Sequence, residues 1–129
     1  MTGLLLDTHA IAWSLADDPS LPARARSVVA RADWVCVSAA SLYEIAFKAG
    51  RGRWPEMEPH LEDIEERIAA DGAALLPATA AEFLRAATLD WSHRDPFDRL
   101  IAATALVHGL DLVSSDAAFD AVPGLRRLW

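Results

Sequence analysis

Four acidic residues stand where apolar segments of the chain give way to expected helices: Asp7, Glu44, Asp98 and Asp116. They are far apart in the sequence. In a parallel α/β sheet, however, the strand ends that lead into helices share one edge, and ligand pockets form there. We therefore expect these four carboxylates to meet in one pocket.

Crowded carboxylates need a counter-charge. Two unit charges about 4 Å apart repel by about 4 kcal/mol at an effective dielectric constant near 20, so four ionised acids do not stay together unaided. Oxygen ligands without His or Cys partners favour Mg²⁺ or Mn²⁺ over Zn²⁺, and the four His residues show no zinc-site spacing. The pattern predicts a Mg²⁺ site, with Mn²⁺ as a substitute.

Each acid, taken singly, also has a structural explanation as a helix cap. The capping patterns are Asp7 before the first helix, Ser41-Leu42-Tyr43-Glu44 as a capping box, Asp95-Pro96-Phe97-Asp98 as a cap with a proline and a first-turn acid, and Asp116 before Ala117. Capping does not explain why acids follow the first, second and fourth expected strands. Their conjunction favours a functional pocket, and it leaves open whether Asp95 is a ligand or a cap.

Strand and helix patterns alternate along the chain. Continuous apolar runs predict buried strands at residues 3–6, 34–37, 73–76 and 110–113, with an edge strand at 125–128. Helices are expected at 8–16, 21–32, 38–49, about 62–70, 79–88 and 96–108, with Pro55 and Pro59 bracketing a loop. This alternation predicts a three-layer α/β/α sandwich on a mostly parallel sheet, as one domain over residues 1–129.

Composition narrows the class of protein. The chain has 129 residues, 53% hydrophobic and 24% charged, and no apolar stretch approaches the roughly 20 residues that span a bilayer. Without a signal-peptide core we expect a cytoplasmic protein that does not contact membranes. The single Cys36 lies in an apolar run and is expected to be a buried, unreactive thiol.

The formal net charge of −7 argues against a broad basic surface for nucleic acid. Any contact with RNA or DNA must therefore be local or mediated by a metal ion. One short basic run is compatible with such a contact: Lys48, Arg51 and Arg53 end beside Trp54. The alternative is a solvated helix end with Trp54 packed on the domain.

Four segments together resemble the PIN domain, and more narrowly the VapC toxins of bacterial type II toxin–antitoxin systems. They are Leu4-Leu5-Leu6-Asp7-Thr8-His9-Ala10 with Trp13 beyond, Ser38–Lys48, His93–Ala103, which contains His93-Arg94-Asp95-Pro96-Phe97-Asp98, and Leu112–Phe119. The resemblance runs from Gly3 to about Val122. Four motifs in order are far more specific than any one of them.

The resemblance implies a metal-dependent endoribonuclease that leaves a 5′-phosphate and a 3′-hydroxyl. It assigns catalytic, metal-binding roles to Asp7, Glu44, Asp98 and Asp116, with Asp95 as a less certain ligand. The hydroxyl that the family usually places two residues before its last Asp is supplied by Ser114 instead of Thr. The expected RNA-binding residues are Lys48, Arg51, Arg53, Trp54 and Arg99.

The resemblance also implies a cognate antitoxin of the VapB or Phd type and a homodimer. Five Trp residues and the high apolar content suggest more apolar surface than one core buries, and exposed apolar patches mark interfaces. An acidic pocket is in addition a natural receptor for an antitoxin Arg.

Two other classes of protein remain as alternatives. A haloacid dehalogenase-like phosphatase also carries an Asp after its first strand, but it needs a second Asp two residues later, where this chain has His9. A catalytically inert PIN-like module would act only through protein contacts. The presence of all four acids speaks against it.

Overall fold

A sheet of five parallel strands runs through the described part of the chain. The computed structural model describes residues 3–129. The strands are β1 (Gly3–Leu6), β2 (Trp34–Ser38), β3 (Ala74–Leu76), β4 (Asp111–Val113) and β5 (Arg127–Leu128). Their order is β3-β2-β1-β4-β5, and every neighbouring pair is parallel. The first strand in the sequence, β1, therefore lies at the centre; β2 and β3 extend the sheet on one side of it, and β4 and β5 extend it on the other.

Helices cover both faces of the sheet. They are α1 (Thr8–Leu15), α2 (Ala23–Arg31), α3 (Ala39–Gly50), α4 (Ile64–Ala70), α5 (Ala80–Thr88) and α6 (Pro96–His108). Two short 3-10 helices, Pro55–His60 and Ala117–Ala121, complete the described elements. The predicted α/β sandwich is confirmed, and the expected edge strand is present as β5.

Alternating residues of β1 divide the core in two. Leu4 and Leu6 pack with residues of α1, α2 and α3 on one face, whereas Leu5 packs with α6 and with Phe119 on the other. A strand that is buried on both faces has to be apolar at every position, which is why β1 reads as a continuous run. Burial of one such Leu side chain contributes about 1.5–3 kcal/mol.

Two local predictions need correction. The segment bracketed by Pro55 and Pro59 is a 3-10 helix, not an irregular loop. Pro55 occupies its first position, where proline is favoured, and Pro59 lies inside the helix. The Ser41–Glu44 pattern is not a capping box, because α3 starts earlier and its N-cap is Ser38, whose Oγ accepts a hydrogen bond from the Ala40 amide at 3.1 Å.

Two other features of residues 3–129 bear on the sequence predictions. Cys36 is buried and free, as expected, and burial raises the pKa of its thiol. No helix in this range is long and apolar enough to cross a bilayer.

Candidate active site

Asp7 is held at the carboxyl edge of the sheet by its own backbone and by α1. Its amide donates to the Val113 carbonyl at 3.1 Å, which ties the end of β1 to the end of β4. Its Oδ1 accepts from the Ala10 amide at 2.8 Å and so caps α1. Because only one carboxylate oxygen caps the helix, the other is left for a further partner.

Glu44 reaches the same edge from the second turn of α3, and its side chain is buried. The two helices that carry Asp7 and Glu44 are joined by a buried hydrogen bond in which Thr8 Oγ1 donates to Ser41 Oγ at 3.1 Å. This bond fixes the start of α1 against α3. It keeps two carboxylates of the site in register although 37 positions separate them in the sequence.

Asp95 and Asp98 come from the start of α6. Asp95 Oδ1 accepts from the amides of Phe97 at 2.8 Å and Asp98 at 3.3 Å, so Asp95 is the N-cap of this helix. Asp98 lies in the first turn, and its Oδ2 is 2.7 Å from Nε2 of His93.

Ser114 and Asp116 follow β4. The Asp116 amide donates to Ser114 Oγ at 3.0 Å, and the same hydroxyl hydrogen-bonds the carboxyl group of Asp7. Asp116 Oδ1 accepts from the Ala118 amide at 2.9 Å and caps the 3-10 helix Ala117–Ala121. Ser114 is fully buried, and its hydroxyl links Asp7 to the backbone of Asp116.

All four predicted acids line one cavity of about 110 Å³. The residues that line it are Asp7, Thr8, His9, Glu44, Lys48, Asp95, Asp98, Ser115, Asp116 and Phe119. Four separate elements of the fold supply its carboxylates. Larger cavities exist in the described structure, but they are lined mainly by apolar side chains.

The pocket carries unbalanced negative charge. Burial raises the pKa of Asp7, and the nearby charge of Asp116 raises it further, whereas the hydrogen bonds from Ser114 and Ala10 and the charge of His9 act in the opposite direction. Burial also raises the pKa of Asp98, and the charges of Asp95 and Glu44 add to this effect. Raised carboxyl pKa values in a cleft are typical of functional sites.

Comparison with known proteins identifies the family. The model of the PIN domain family matches residues 4–125, which is nearly the whole chain. The chain belongs to the PIN domain family. A curated relative, Ribonuclease VapC22 of Mycobacterium tuberculosis, is 36% identical over 120 residues, which are 90% of this chain and 88% of that protein.

Solved structures show the same PIN fold. VapBC2 from Rickettsia felis, bound to a DNA fragment from its promoter, matches with a TM-score of 0.72 at 15% identity and covers 98% of both chains. DNA-bound VapBC from Salmonella typhimurium matches with a TM-score of 0.69 at 19% identity, over 99% of this chain and 98% of that one. A toxin–antitoxin complex from Klebsiella pneumoniae reaches 0.65 at 22% identity, over 95% and 94%.

The donor set of the pocket fits a hard divalent cation, and PIN-domain VapC ribonucleases generally depend on divalent metal ions. Within residues 3–129, no three His, Cys, Asp or Glu side chains are grouped tightly enough to hold a metal ion by themselves. Mg²⁺ does not need such a cage, because it keeps several waters and is usually bound through one or two carboxylates and substrate phosphates. A cavity of about 110 Å³ has room for waters, each of which takes about 30 Å³ in the liquid.

The short basic run lies at the exit of α3. Lys48 lines the pocket, and its Nζ is 2.5 Å from Oε2 of Glu44. Arg51 is exposed, and its guanidinium lies 3.6 Å from the centre of the Phe47 ring. Arg53 is exposed, whereas the ring of Trp54 is partly buried and lies 4.9 Å from that of His9. Trp54 therefore packs on the domain beside the pocket.

Arg99 does not have the free guanidinium that the RNA-binding prediction required. Its side chain donates to four backbone carbonyls at 2.7–2.9 Å, those of Ala86, Leu89, Trp91 and His93. These bonds engage four of the five N–H groups that an Arg side chain possesses. Its role is to hold the loop before α6, which the positive charge alone does not reveal.

His93 is the neighbour of the site that sequence reasoning underrated. The spacing of the His residues gave no reason to single it out as a ligand. Its position five residues before Asp98 is the signal that was available, but the loop conformation that joins the two side chains depends on the hydrogen bonds of Arg99.

Proposed function

We propose that this PIN domain is a VapC-type endoribonuclease that hydrolyses RNA phosphodiester bonds with Mg²⁺ bound in the acidic pocket. The convergence of Asp7, Glu44, Asp98 and Asp116 in one cavity carries the proposal. The raised pKa values of Asp7 and Asp98 support it, since a cation in the pocket removes the cost of ionising both groups. The name of the Mycobacterium tuberculosis relative supports the choice of RNA as substrate.

Asp7 and Asp98 would hold the cation, and Glu44 and Asp116 would complete its shell directly or through water. The chemistry that a bound divalent cation supplies is Lewis-acid activation of water and neutralisation of phosphate charge. The helix caps of Asp7 and Asp116 fix these side chains before substrate arrives. The Ser114 hydroxyl stabilises the ionised form of Asp7, because it hydrogen-bonds that carboxylate.

The reaction is an in-line displacement at phosphorus. The oxygen of water forms a bond to phosphorus as the P–O3′ bond breaks. A pocket carboxylate takes a proton from the attacking water, and a solvent water donates a proton to the departing 3′ oxygen. The products are a 5′-phosphate and a 3′-hydroxyl.

Substrate phosphates would be bound by basic residues in and beside the pocket. Lys48 lies in the pocket wall, and Arg51 and Arg53 extend the positive charge along the exit of α3. Phosphate contacts of this kind position a nucleic acid without reading its sequence. Trp54 and His9 offer ring surface next to the pocket, where a base can stack.

We extend the proposal to a partner, an antitoxin of the VapB or Phd type in the cytoplasm. The Klebsiella pneumoniae structure is named as a toxin–antitoxin complex, which supports this partner. An antitoxin Arg would enter the acidic pocket and replace the charge of the cation. A cavity of about 300 Å³ between α1, α2, β2 and α4, most of whose lining residues are apolar, would receive apolar side chains of the antitoxin. Co-expression with a cognate antitoxin of this type should yield a complex without nuclease activity.

The alternatives fit the pocket less well. An inert binding module has no need for four carboxylates in one cavity, two of them with raised pKa values. A haloacid dehalogenase-like phosphatase needs an acid where this chain has His9.

A cleavage assay tests the proposal. Purified protein is incubated with a pool of structured RNAs and Mg²⁺, with EDTA as one control. Asp98→Asn should abolish cleavage because the amide keeps the shape but removes the charge of the ligand. Asp90→Asn, an exposed residue outside the pocket, is the matched control and should cut like wild type. Cleavage in EDTA, or by Asp98→Asn at the wild-type rate, would refute the metal mechanism.

A further inference from the structure

His93 contacts Asp98 from outside the acidic cavity. Nε2 of His93 is 2.7 Å from Oδ2 of Asp98, but His93 is not among the residues that line the cavity, whereas Asp98 is. The imidazole therefore contacts the carboxylate of Asp98 without lining the cavity itself. Any effect of His93 on a bound cation would pass through Asp98.

The surroundings of His93 hold its ring in place. The ring stacks on Trp91, with centroids 4.6 Å apart and planes inclined by 26°. Trp91 in turn lies 5.3 Å from Phe119, a buried residue of the cavity wall. Because Trp91 contacts both the His93 ring and the buried Phe119 ring, the loop has little freedom to turn His93 away from Asp98.

The backbone of the same loop is fixed by Arg99. Its guanidinium binds the carbonyl of His93 at 2.8 Å and that of Trp91 at 2.7 Å. Arg99 directly follows Asp98 on α6. Helix α6 thus supplies both the carboxylate of Asp98 and the Arg99 side chain that holds the His93 loop beside it.

We propose that His93 is a positioning residue for Asp98: its Nε2–H donates to Oδ2 and leaves Oδ1 to bind the cation. The inference rests on the proposed function, because it assigns a cation to Asp98. An ionised carboxylate only accepts hydrogen bonds, so the contact requires the hydrogen to be on Nε2. Carboxylates that bind metal ions are themselves hydrogen-bonded, and loss of such a partner typically costs 10- to 100-fold in metal affinity.

The test measures Mn²⁺ binding to the intact protein without RNA, by isothermal titration calorimetry, in three variants of His93. His93→Gln places an amide N–H near the position of Nε2, whereas His93→Asn places it near Nδ1. We expect the Kd for Mn²⁺ to rise about 10- to 100-fold in His93→Ala and His93→Asn. It should stay within a few-fold of wild type in His93→Gln.

Matched controls separate this role from simple loss of structure. Ser92→Ala changes an exposed neighbour in the same loop and should bind Mn²⁺ like wild type. Urea unfolding in EDTA reports whether each variant folds. If His93→Ala fails to fold, the comparison of His93→Gln with His93→Asn still tests the inference. A Kd unchanged in His93→Ala, or a Kd as weak in His93→Gln as in His93→Asn, would overturn the inference.

The failure of the inference is distinguishable from failure of the proposed function. If wild type binds Mn²⁺ and Asp98→Asn does not, the cation site stands, and the His93 variants alone decide the positioning role. If wild type itself does not bind Mn²⁺, the cation site and the inference fall together.

Discussion

Lys48 Nζ lies 2.5 Å from Glu44 Oε2, one helical turn along α3, in the wall of a cavity that is otherwise lined mainly by acids. Glu44 is 4% exposed, and Lys48 is the only Lys or Arg among the lining residues. The pair therefore balances one carboxylate of the pocket and leaves the charges of the others for a cation.

Removal of the Lys48 ammonium group should destabilise the metal-free protein. Lys48→Met leaves Glu44 buried without its charged partner, and an unsatisfied buried group costs about 1–3 kcal/mol in the free energy of unfolding. Urea unfolding in EDTA measures this, and saturating Mn²⁺ should recover part of the loss. The double variant Glu44→Gln/Lys48→Met should lie closer to wild type than Lys48→Met does. Equal unfolding of wild type and Lys48→Met in EDTA would show that the pair is not coupled.

Neutralisation of Asp7 should stabilise the metal-free protein. Burial raises the pKa of Asp7 above 3.8, so the folded state gives up this proton less readily than the unfolded state, and stability falls as pH rises through the folded pKa. Asp7→Asn removes this cost at neutral pH. It also preserves the cap of α1, since Asn caps helices as well as Asp.

Mn²⁺ should reverse the order of stability of wild type and Asp7→Asn. A cation that binds only the folded state adds about 2.7 kcal/mol at a hundredfold excess over its Kd. Wild type should gain this stability and Asp7→Asn should not, as thermal unfolding with and without Mn²⁺ will show. An equal gain in both proteins would place the cation elsewhere.

Sequence reasoning reached the fold and the grouping of the four acids because both depend on local patterns. Asp7 and Asp116 follow apolar strands directly, and strand direction then fixes the edge at which they lie. Glu44 was placed correctly at that edge, although it is not part of a capping box with Ser41, because the N-cap of α3 is Ser38. The backbone contacts of Arg99 could not be predicted for a physical reason: side-chain hydrogen bonds to carbonyls elsewhere in the chain leave no periodic pattern in a sequence. The contact of His93 with Asp98 follows from those bonds and was missed with them.

Ser114 should matter to both stability and cation binding. Ser114→Ala removes the acceptor of the Asp116 amide and the hydrogen bond to Asp7, at a cost of about 1–3 kcal/mol because the site is buried. The pKa of Asp7 should rise further, so Mn²⁺ binding at neutral pH should weaken. Calorimetric titration with Mn²⁺ and urea unfolding measure the two effects. Ser115→Ala, an exposed neighbour in the same cavity, is the control, and equal effects of the two substitutions would contradict a special role of Ser114.

Glu82, which does not line the acidic cavity, should make the free energy of unfolding depend on pH in the acidic range. Its buried carboxylate accepts from the Thr79 amide and hydroxyl at 2.5 and 2.8 Å and lies 3.0 Å from Nε2 of His108. Burial alone would raise the pKa of Glu82, but the hydrogen bonds from Thr79 and then from His108 lower it below 4.5. The folded state thus keeps the carboxylate where the unfolded state is protonated. This contribution is complete above about pH 4.5 and is lost as pH falls through the folded pKa.

Glu82→Gln isolates this effect. The substitution should lower the free energy of unfolding at pH 7 by about 1.5–3 kcal/mol, which is typical of hydrogen bonds to a charged group. The difference from wild type should shrink as urea unfolding is repeated below pH 4.5. RNA cleavage at pH 7 serves as the control and should persist, since Glu82 is not a residue of the acidic cavity. A difference that stays constant from pH 7 down to pH 4 would mean that the carboxylate charge is not what stabilises this site.

The expected homodimer should form through the face shared by α3, α5 and α6. An apolar groove of about 350 Å³ lies there, lined by Ala39, Ala40, Tyr43, Ala78, Phe83, Phe97 and Leu100. Tyr43 is 60% exposed and Phe83 53% exposed, and large exposed aromatic side chains are typical of interfaces. Light scattering after gel filtration should show a dimer for wild type and a monomer for Phe83→Asp, because a buried, unpaired charge in the interface is costly.

Val107→Asp is the control for this test: it changes another exposed apolar residue that does not line this groove, and it should stay dimeric. Since Phe83 is exposed in the single chain, both variants should still unfold cooperatively. A dimer that survives Phe83→Asp would move the interface to another face, and a wild-type monomer at high protein concentration would remove the homodimer itself.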